Sequence, residues 1–218
     1  MKKIIILGSG GMARNAIDLI NNEQCDFKLE GIIDPKRKKP LLGVPVLGDD
    51  RCLAKIIKKH SIEYVFPAIG FGENVDNTLR YNVYKKLLKF QKVKIPNLIS
   101  SKALIRSNVK MGQGNIIQAG SIVDTSVRIK NNVNIGLNVM IGHGSFISDH
   151  VTIAGSVNIN GSVKIGEGSF IGMGAIIYRN IGNWSKISPN ATCLKEVGSY
   201  KIVYPPMTRE VSIKKIKL

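Results

Sequence analysis

The chain has 218 residues, 44 % of them hydrophobic, and its 32 Lys and Arg against 15 Asp and Glu give it a formal net charge of +17. This length predicts one or two globular domains, and no apolar run approaches the ~20 residues of a transmembrane helix, which argues against a membrane protein. Neither a basic stripe with aromatic support nor a nucleic-acid-binding motif accompanies the charge, so we interpret it as a lysine-rich solvated surface, with attraction of small anionic substrates as the alternative.

The first residues predict the start of an α/β domain. Lys3–Leu7 is a short apolar run typical of a buried parallel strand, and it ends too soon for the ~7–15-residue core of a signal peptide. The glycine turn of residues 8–11 follows, and Met12–Asn21 then places its apolar residues on one helical face. The 3 cysteines are scattered and lack metal-ligand spacing, which indicates reduced thiols and a cytoplasmic protein.

Strands and helices continue to alternate up to residue 96, which predicts a parallel sheet. The strand Phe27–Ile33 is expected to end at Asp34, because the next residue is a proline that cannot donate to a sheet. Three further elements are predicted: the helix Leu53–Lys59, the strand Glu63–Ile69 and the helix Asn77–Phe90. We therefore assign residues 1–96 to a Rossmann-like domain.

The C-terminal half repeats every six residues. Aliphatic residues recur at this interval from Ile99 to Ile177 without a slip, and small or β-branched residues form a second ladder four positions later, apart from Asn115. An α-helix cannot keep this period on one face, because its side chains return every 3.6 residues, whereas short strands bent at a regular interval can. Residues 97–218 are therefore predicted to form a parallel β-helix rather than ordinary Ile/Val-rich strands.

The repeat is interrupted near its end. Its register breaks after Ile177 and resumes at Ile187, which we interpret as an external loop or a slip between coils. From Glu196 onward the period is lost. This tail is expected to cap the open end of the solenoid, which would otherwise invite pairing with another edge.

The whole arrangement resembles the NeuD/PglD family of hexapeptide acyltransferases, bacterial enzymes that acetylate sugars, several of them nucleotide-linked amino sugars for surface glycans. Three motifs carry the resemblance: the glycine-rich turn 8–13, Ile141-Gly142-His143 on a solenoid rung, and Asn160-Gly161 with Gly172-Met173. The resemblance implies a left-handed β-helix, a homotrimer, and acetyl-CoA as acyl donor bound between neighbouring subunits, without a metal.

The resemblance also assigns substrate-binding residues in the N-terminal domain. Glycines after a strand let backbone N–H groups approach a phosphate at a helix N-terminus, although a tight structural turn explains the same pattern. The turn departs from the dinucleotide fingerprint, which requires a further glycine near Asn15. The residues implied in binding the nucleotide sugar are Gly8, Gly10, Gly11, Met12, Asp34, Ala68 and Gly70.

His143 stands where the family has its general base. A neutral imidazole suits proton removal from an attacking amine or hydroxyl near neutral pH. The family commonly places a carboxylate directly after this histidine, but this chain has Gly144. We expect Asp124 or Thr125, one coil below, or Asp149, or a backbone carbonyl, to orient the imidazole instead.

Further positions are implied in binding acetyl-CoA. Gly161 stacks one coil above His143, where a missing side chain leaves room for the pantetheine arm. Thr152 aligns with a further histidine of some relatives. The implied set is Thr152, Asn160, Gly161, Gly172 and Met173, together with the tail residues 203–206.

The resulting interpretation is an acetyl-CoA-dependent N-acetyltransferase acting on a nucleotide-linked amino sugar of the 4-amino-4,6-dideoxy type, without nucleic-acid or membrane partners. The alternatives are O-acetylation of a sugar or sialic acid, and a non-catalytic binding protein on the same fold. A zinc hydratase needs three histidine ligands, and only His143 and His150 lie in the repeat region.

Overall fold

A computed structural model describes residues 1–23, 26–71, 76–90 and 92–206. Its first part is an α/β unit that follows the predicted order of elements. The elements are β1 (Lys2–Leu7), α1 (Gly11–Asn22), β2 (Phe27–Ile33), β3 (Val46–Gly48), a 3₁₀ turn (Asp50–Cys52), α2 (Leu53–His60), β4 (Tyr64–Pro67) and α3 (Thr78–Leu87).

All four strands of this unit are parallel, in the order β3-β2-β1-β4. The apolar runs of β1, β4 and the end of β2 are buried on both faces, as the continuous Ile4–Ile6 segment predicts, because helices cover both sides of the sheet. The chain moves from β1 to β2 on one side and later returns to β4 on the other. The carboxyl end of β1 is therefore a topological switch point, where such sheets bind ligands.

The predictions for this unit differ from the structure in three places. The strand predicted over Glu63–Ile69 is shorter and spans Tyr64–Pro67. β3 was not predicted, because Val46–Gly48 is too short and too little buried to stand out as an apolar run. The helix predicted over Asn77–Phe90 is shorter, and ends at Leu87. No helix in the described ranges is both long and apolar enough to cross a membrane.

The second part is a solenoid of two-residue parallel strands that form three sheets, here called faces 1 to 3. Face 1 contains Leu98–Ile99, Ile116–Ile117, Asn134–Ile135, Thr152–Ile153, Phe170–Ile171, Lys186–Ile187 and Ile202–Val203. Face 2 contains Leu104–Ile105, Ile122–Val123, Met140–Ile141, Asn158–Ile159, Ile176–Ile177 and Thr192–Cys193. Face 3 contains Lys110–Met111, Arg128–Ile129, Phe146–Ile147 and Lys164–Ile165.

The six-residue ladder forms the core of this solenoid. The second residue of each strand points inward, and from Ile117 to Ile187 these rungs are at most 2 % exposed. Each buried aliphatic side chain contributes about 1.5–3 kcal/mol relative to an exposed one. The predicted fold class, an α/β domain followed by a parallel β-helix, is confirmed, and the stacked three-sided coils are consistent with the expected left-handed form.

The break after Ile177 is a shortening and not an external loop. Strands in successive coils pair 18 residues apart up to Ile177, for example Asn158 with Ile176. Beyond that point they pair 16 residues apart, as Ile165 does with Ile181 and Ile187 with Val203. Two residues are missing between faces 2 and 3 in these coils, so the expected slip between coils is the correct alternative.

The expectation that the period is lost from Glu196 onward is wrong. Val197 pairs with Ile181, and the strand Ile202–Val203 continues face 1. The shorter spacing hid these rungs, because a strict six-residue count no longer reaches them. The last described residues, up to Pro206, follow that strand directly.

Candidate functional site

His143 lies on the edge between faces 2 and 3, two residues after the strand Met140–Ile141. The edge turns sharply here because Gly144 adopts a φ of +65°, which glycine accepts without strain. The turn directs the imidazole away from the apolar core, and the side chain is exposed. A titratable group is thus presented at the surface by a rigid frame.

Gly161 lies directly over this imidazole, one coil above. A Cβ atom at Gly161 would stand 2.6 Å from Nε2 and 2.8 Å from Cε1 of His143. Carbon and nitrogen atoms do not approach this closely, so the observed position of the ring requires a residue without a side chain. The prediction that Gly161 stacks above His143 is therefore confirmed by the geometry.

A groove of ≈ 260 Å³ opens beside His143 on the side of face 2. Asn160 and Gly161 lie in it, as the resemblance implied. Sequence reasoning missed the outward-facing residues Met140, Ile176 and Tyr178, although each immediately precedes or follows an inward rung. The full lining is Met140, Gly142, His143, Asn158, Ile159, Asn160, Gly161, Ile176, Ile177 and Tyr178.

The expected partner of the imidazole is not found within one chain. Asp124 accepts a hydrogen bond from the N–H of Thr125 at 2.6 Å and pairs with Arg106 at 3.4 Å. Asp149 lies on the next edge and accepts two hydrogen bonds from Asn131. Among the described residues, neither ring nitrogen of His143 has a hydrogen-bond partner, so this prediction is wrong for the single chain.

Two backbone donors are open at this edge. In the described part of the chain, the N–H groups of His143 and Gly161 find no acceptor. On the next edge the equivalent groups are satisfied by side chains from the coil above, as Asn131 Oδ1 accepts from the N–H of Gln113 at 3.0 Å. Gly161 cannot serve His143 in this way because it has no side chain.

The other implied acetyl-CoA residues lie away from this groove. Thr152 is 1 % exposed, and its hydroxyl donates to Asn77 Oδ1 at 2.7 Å and accepts from Arg80 at 3.2 Å, so it is inaccessible. Gly172 and Met173 lie on the edge between faces 1 and 2, where Met173 is exposed. In the tail, Tyr204 is exposed, and Met207 lies outside the described residues.

The implied nucleotide-binding residues come together at the carboxyl edge of the sheet. Gly8 has a φ of +103°, and a Cβ there would stand 2.9 Å from the carbonyl oxygen of Ala68, so only glycine lets β1 and β4 end side by side. Gly10 precedes α1 without a side-chain cap, which leaves the first N–H groups of the helix open. Gly11, Met12 and Gly70 adjoin the same edge.

Asp34 organises the loop that follows β2. Its Oδ1 atom accepts hydrogen bonds from the N–H groups of Lys36 at 2.8 Å and Arg37 at 3.0 Å. Burial opposes ionisation, but the hydroxyl of Ser9 and these two N–H groups outweigh it and hold the pKa of the carboxyl below its ordinary value. The carboxylate is therefore largely occupied within the protein.

Four consecutive basic residues, 36–39, border the same edge. Together with Ser9 they line an open depression of ≈ 440 Å³. Asp34 thus holds a cationic loop against the glycine turn, and the resulting surface favours an anion. Among the described residues no group of His, Cys, Asp and Glu could hold a metal ion, and the zinc alternative gains no support.

Comparisons with known proteins agree with this architecture. Residues 3–87 match the family model of the PglD N-terminal domain. A comparison with curated proteins gives no match.

Solved structures match nearly the whole chain. A variant of perosamine N-acetyltransferase from Caulobacter crescentus, in complex with CoA and GDP-perosamine, shares 23 % identity over 93 % of both chains, with a TM-score of 0.84. The acetyltransferase domain of PglB from Neisseria gonorrhoeae, in complex with acetyl coenzyme A, shares 20 % identity over 94 % of this chain and 97 % of that one, also at 0.84. WeeI from Acinetobacter baumannii shares 22 % identity over 93 % of this chain and 96 % of that one, with a TM-score of 0.81.

Proposed function

We propose that this chain belongs to the NeuD/PglD-like family and is an acetyl-CoA-dependent N-acetyltransferase of a nucleotide-linked amino sugar, which the match of residues 3–87 to the PglD N-terminal domain supports. The single observation that carries the proposal is the exposed His143 beneath Gly161, at the mouth of a groove. The relatives that were solved with CoA, acetyl coenzyme A or GDP-perosamine support the classes of donor and acceptor.

In the proposed reaction His143 is the general base. The sugar amine attacks the thioester carbonyl carbon, and a ring nitrogen of His143 takes the proton that the amine nitrogen loses. The open N–H of Gly161 donates to the oxyanion of the tetrahedral intermediate. Collapse of the intermediate breaks the C–S bond, and the CoA thiolate leaves and accepts the proton from His143.

The groove beside His143 suits the arm of the acyl donor. Met140, Ile176 and Tyr178 give it an apolar wall, and Asn158 and Asn160 add amide groups. An extended pantetheine chain, which is largely apolar with amide groups, has the same character. Gly161 leaves the space in which the thioester can approach the imidazole.

The acceptor is assigned to the carboxyl edge of the N-terminal sheet. The open N–H groups at the start of α1 and the loop of residues 36–39 both favour the diphosphate of a nucleotide sugar. Because the carboxylate of Asp34 already accepts hydrogen bonds from Lys36 and Arg37, we assign it the role of holding this loop in place. The 4-amino-4,6-dideoxy type of sugar remains an expectation from the family, as does a role in bacterial surface glycans.

A homotrimer is also part of the proposal. Face 2 carries a column of outward apolar side chains, Leu104, Ile122, Met140 and Ile176, which are 56, 38, 48 and 38 % exposed. An exposed apolar stripe of this kind is typical of an interface. A neighbouring subunit on this face would also cover the groove of His143 and could supply the partner that its ring lacks. We infer a cytoplasmic location from the proposed donor and acceptor.

O-acetylation of a sugar is the second candidate. A hydroxyl depends more strongly on its base than an amine does, and a base without an orienting carboxylate favours the amine. Gly144, which stands directly after His143 in place of a carboxylate, therefore argues for N-acetylation. A non-catalytic binding protein would keep the groove without turnover.

The proposal is tested by measuring thiol release from acetyl-CoA with UDP-, dTDP- and GDP-linked 4-amino sugars. We expect turnover of one sugar by the wild type and a loss of ~10²-fold or more in His143→Ala. His60→Gln, at the end of α2 and outside both candidate sites, serves as the matched control with wild-type turnover. Unchanged turnover in His143→Ala would contradict the role of the base, and release only with hydroxyl acceptors would favour O-acetylation.

A further inference from the structure

Helix α3 binds the N-terminal domain to the solenoid through a buried arginine. Arg80 is 2 % exposed, and its guanidinium reaches the carbonyl oxygens of Asn132 and Val151 and the hydroxyl of Thr152 at 3.2 Å. In the described part of the chain no carboxylate pairs with it. Burial lowers the pKa of Arg80 to about 9, which still leaves it charged near neutral pH.

The neighbouring side chains of α3 extend this contact. Asn77, at the start of the helix, is fully buried and donates to the carbonyl oxygens of Gly168 and Ser169 at 3.1 and 3.2 Å. The rings of Tyr81 and Tyr84 form T-shaped pairs with the ring of His150 at centroid distances of 4.9 and 5.4 Å. With Trp184, which meets the ring of Tyr81, one helix thus contacts four successive coils.

Backbone carbonyls are the main acceptors in this joint, and this has a mechanical consequence. A carbonyl of a solenoid coil is fixed by the sheets on either side, whereas an acidic side chain could move with its partner. A guanidinium with its donors in a planar fork then fixes direction as well as distance. The joint between α3 and the coils is therefore stiff.

The same joint reaches the edge that is proposed to hold the nucleotide. Gly8 packs against Ala68 and Ile69, at the end of β4. Two residues later the ring of Phe71 meets that of Phe170 on face 1, at a centroid distance of 5.0 Å. Phe71 is thus held to the solenoid next to the carbonyls that Asn77 binds.

We propose that Arg80 and Asn77 are positioning residues that fix the nucleotide-binding edge relative to the acetyl-transfer groove. This inference rests on the proposed function, because it assigns the two substrates to two different domains. A group transfer requires the reacting atoms to approach within about 3–3.5 Å, and a misplacement of about 1 Å can reduce the rate by ~10²-fold. Neither residue lines the groove of His143 or the depression beside residues 36–39.

The chain contains a reporter of this joint. Its 1 tryptophan, Trp184, lies against the ring of Tyr81 at a centroid distance of 5.9 Å. Loosening of α3 exposes the indole to water, which shifts its emission to longer wavelength and increases quenching by acrylamide. The readout needs no substrate and therefore does not depend on the proposed activity.

The test compares the full-length variants Arg80→Met and Asn77→Ala with wild type and with Arg51→Met, an exposed arginine of the same domain. Methionine fills a similar volume without a buried charge, so the fold is expected to survive. We expect kcat/KM for the nucleotide sugar to fall about 10-fold or more, while KM for acetyl-CoA stays at the wild-type value. The emission of Trp184 shifts in Arg80→Met and Asn77→Ala and not in Arg51→Met.

Three outcomes decide the matter. Wild-type emission and wild-type kcat/KM in both variants would overturn the proposal. So would equal losses for both substrates together with a lower Tm, because that pattern describes general destabilisation. If the emission shifts in both variants but the wild type shows no turnover, the result supports the structural role of the joint and counts against the proposed function.

Discussion

At the scale of the residue, the site depends on the Cβ atom that Gly161 lacks. The imidazole of His143 fills the space that a Cβ atom at Gly161 would occupy. The N–H of Gly161 also has no hydrogen-bond acceptor among the described residues. One glycine therefore supplies room for the ring and, in the proposed reaction, a donor for the oxyanion. Because His143 is exposed, its ring can rotate away from an added methyl group without disturbing the coils.

We predict that Gly161→Ala loses activity while the fold is retained. The added Cβ displaces the imidazole, so kcat is expected to fall about 10- to 10²-fold, and the Tm to stay within a few degrees of wild type. Thiol release and thermal unfolding, followed in parallel, check this. Gly198→Ala is the matched control, because a Cβ at Gly198 meets no atom within 4 Å. Full activity in Gly161→Ala would contradict the role of His143 as the general base.

The sequence predicts the position of His143 but not its surroundings. Residues 18 apart stack, so the relation between His143 and Gly161 follows from the repeat alone. The occupation of Asp124 by Arg106 does not, because the direction of two exposed side chains is decided by packing and solvent. The burial of Thr152 beneath Arg80 is equally invisible, since it depends on how the two domains dock.

At the scale of the element, the interface of α3 contains a histidine that is held neutral. The amide nitrogen of Asn132 lies 2.8 Å from Nδ1 of His150. Burial is the largest cause that lowers the pKa of His150, to about 4, and the charges of Arg80 and Lys85 add to it, while Asp149 opposes it. In the unfolded chain the pKa of the same ring lies near the ordinary histidine value of 6.5.

This difference predicts a loss of stability in acid. Between pH 6.5 and about 4 the unfolded chain binds a proton that the folded chain does not, so the free energy of unfolding falls as the pH falls through this window. The variant His150→Asn lacks the titrating ring, so the acid-induced loss of stability caused by His150 disappears. Asparagine tolerates the left-handed φ of 63° at this position. Relative to wild type, the free energy of unfolding of the variant rises by about 2 to 2.5 kcal/mol between pH 7 and pH 4.5, measured by urea unfolding. If the free energy of unfolding depended on pH in the same way in wild type and variant, His150 would not be a neutral buried histidine.

The elements themselves were predictable to different degrees. A six-residue ladder specifies the rungs up to Ile177, because each step places one aliphatic residue in the same narrow core. The shortened coils were not predictable in detail, since Ile181 and Val197 resume the ladder at an interval that the repeat does not contain. The strand β3 was missed because three half-buried residues carry too weak a pattern.

At the scale of the whole molecule, charge and apolar surface are distributed unequally. The net charge of +17 disfavours association between copies of the chain, whereas face 2 favours it. Face 2 presents apolar side chains from several coils in one column, so its burial between subunits can outweigh the repulsion. This balance is expected to depend on salt, because ions screen the repulsion and leave the apolar contact intact.

We predict that Ile122→Glu dissociates the assembly. Ile122 lies on face 2 but does not line the groove of His143, so the change tests association without altering the catalytic groups. Light scattering after size-exclusion chromatography is expected to give about three times the chain mass for wild type and the chain mass for the variant. Leu79→Glu, an exposed leucine of α3, is the matched control and stays assembled. A monomeric wild type would refute the trimer.

The buried guanidinium of Arg80 also has a consequence for the order in which the protein is made. The groups that Arg80 binds lie 52 to 72 residues later in the chain, and those that Asn77 binds lie 91 and 92 residues later. At a synthesis rate of ~5–20 residues per second, the N-terminal domain waits roughly 3 to 18 seconds on the ribosome with a hydrated arginine on its surface. During that interval α3 lacks these partners, and its docking is complete only after the coil that ends at Ser169 has been synthesised.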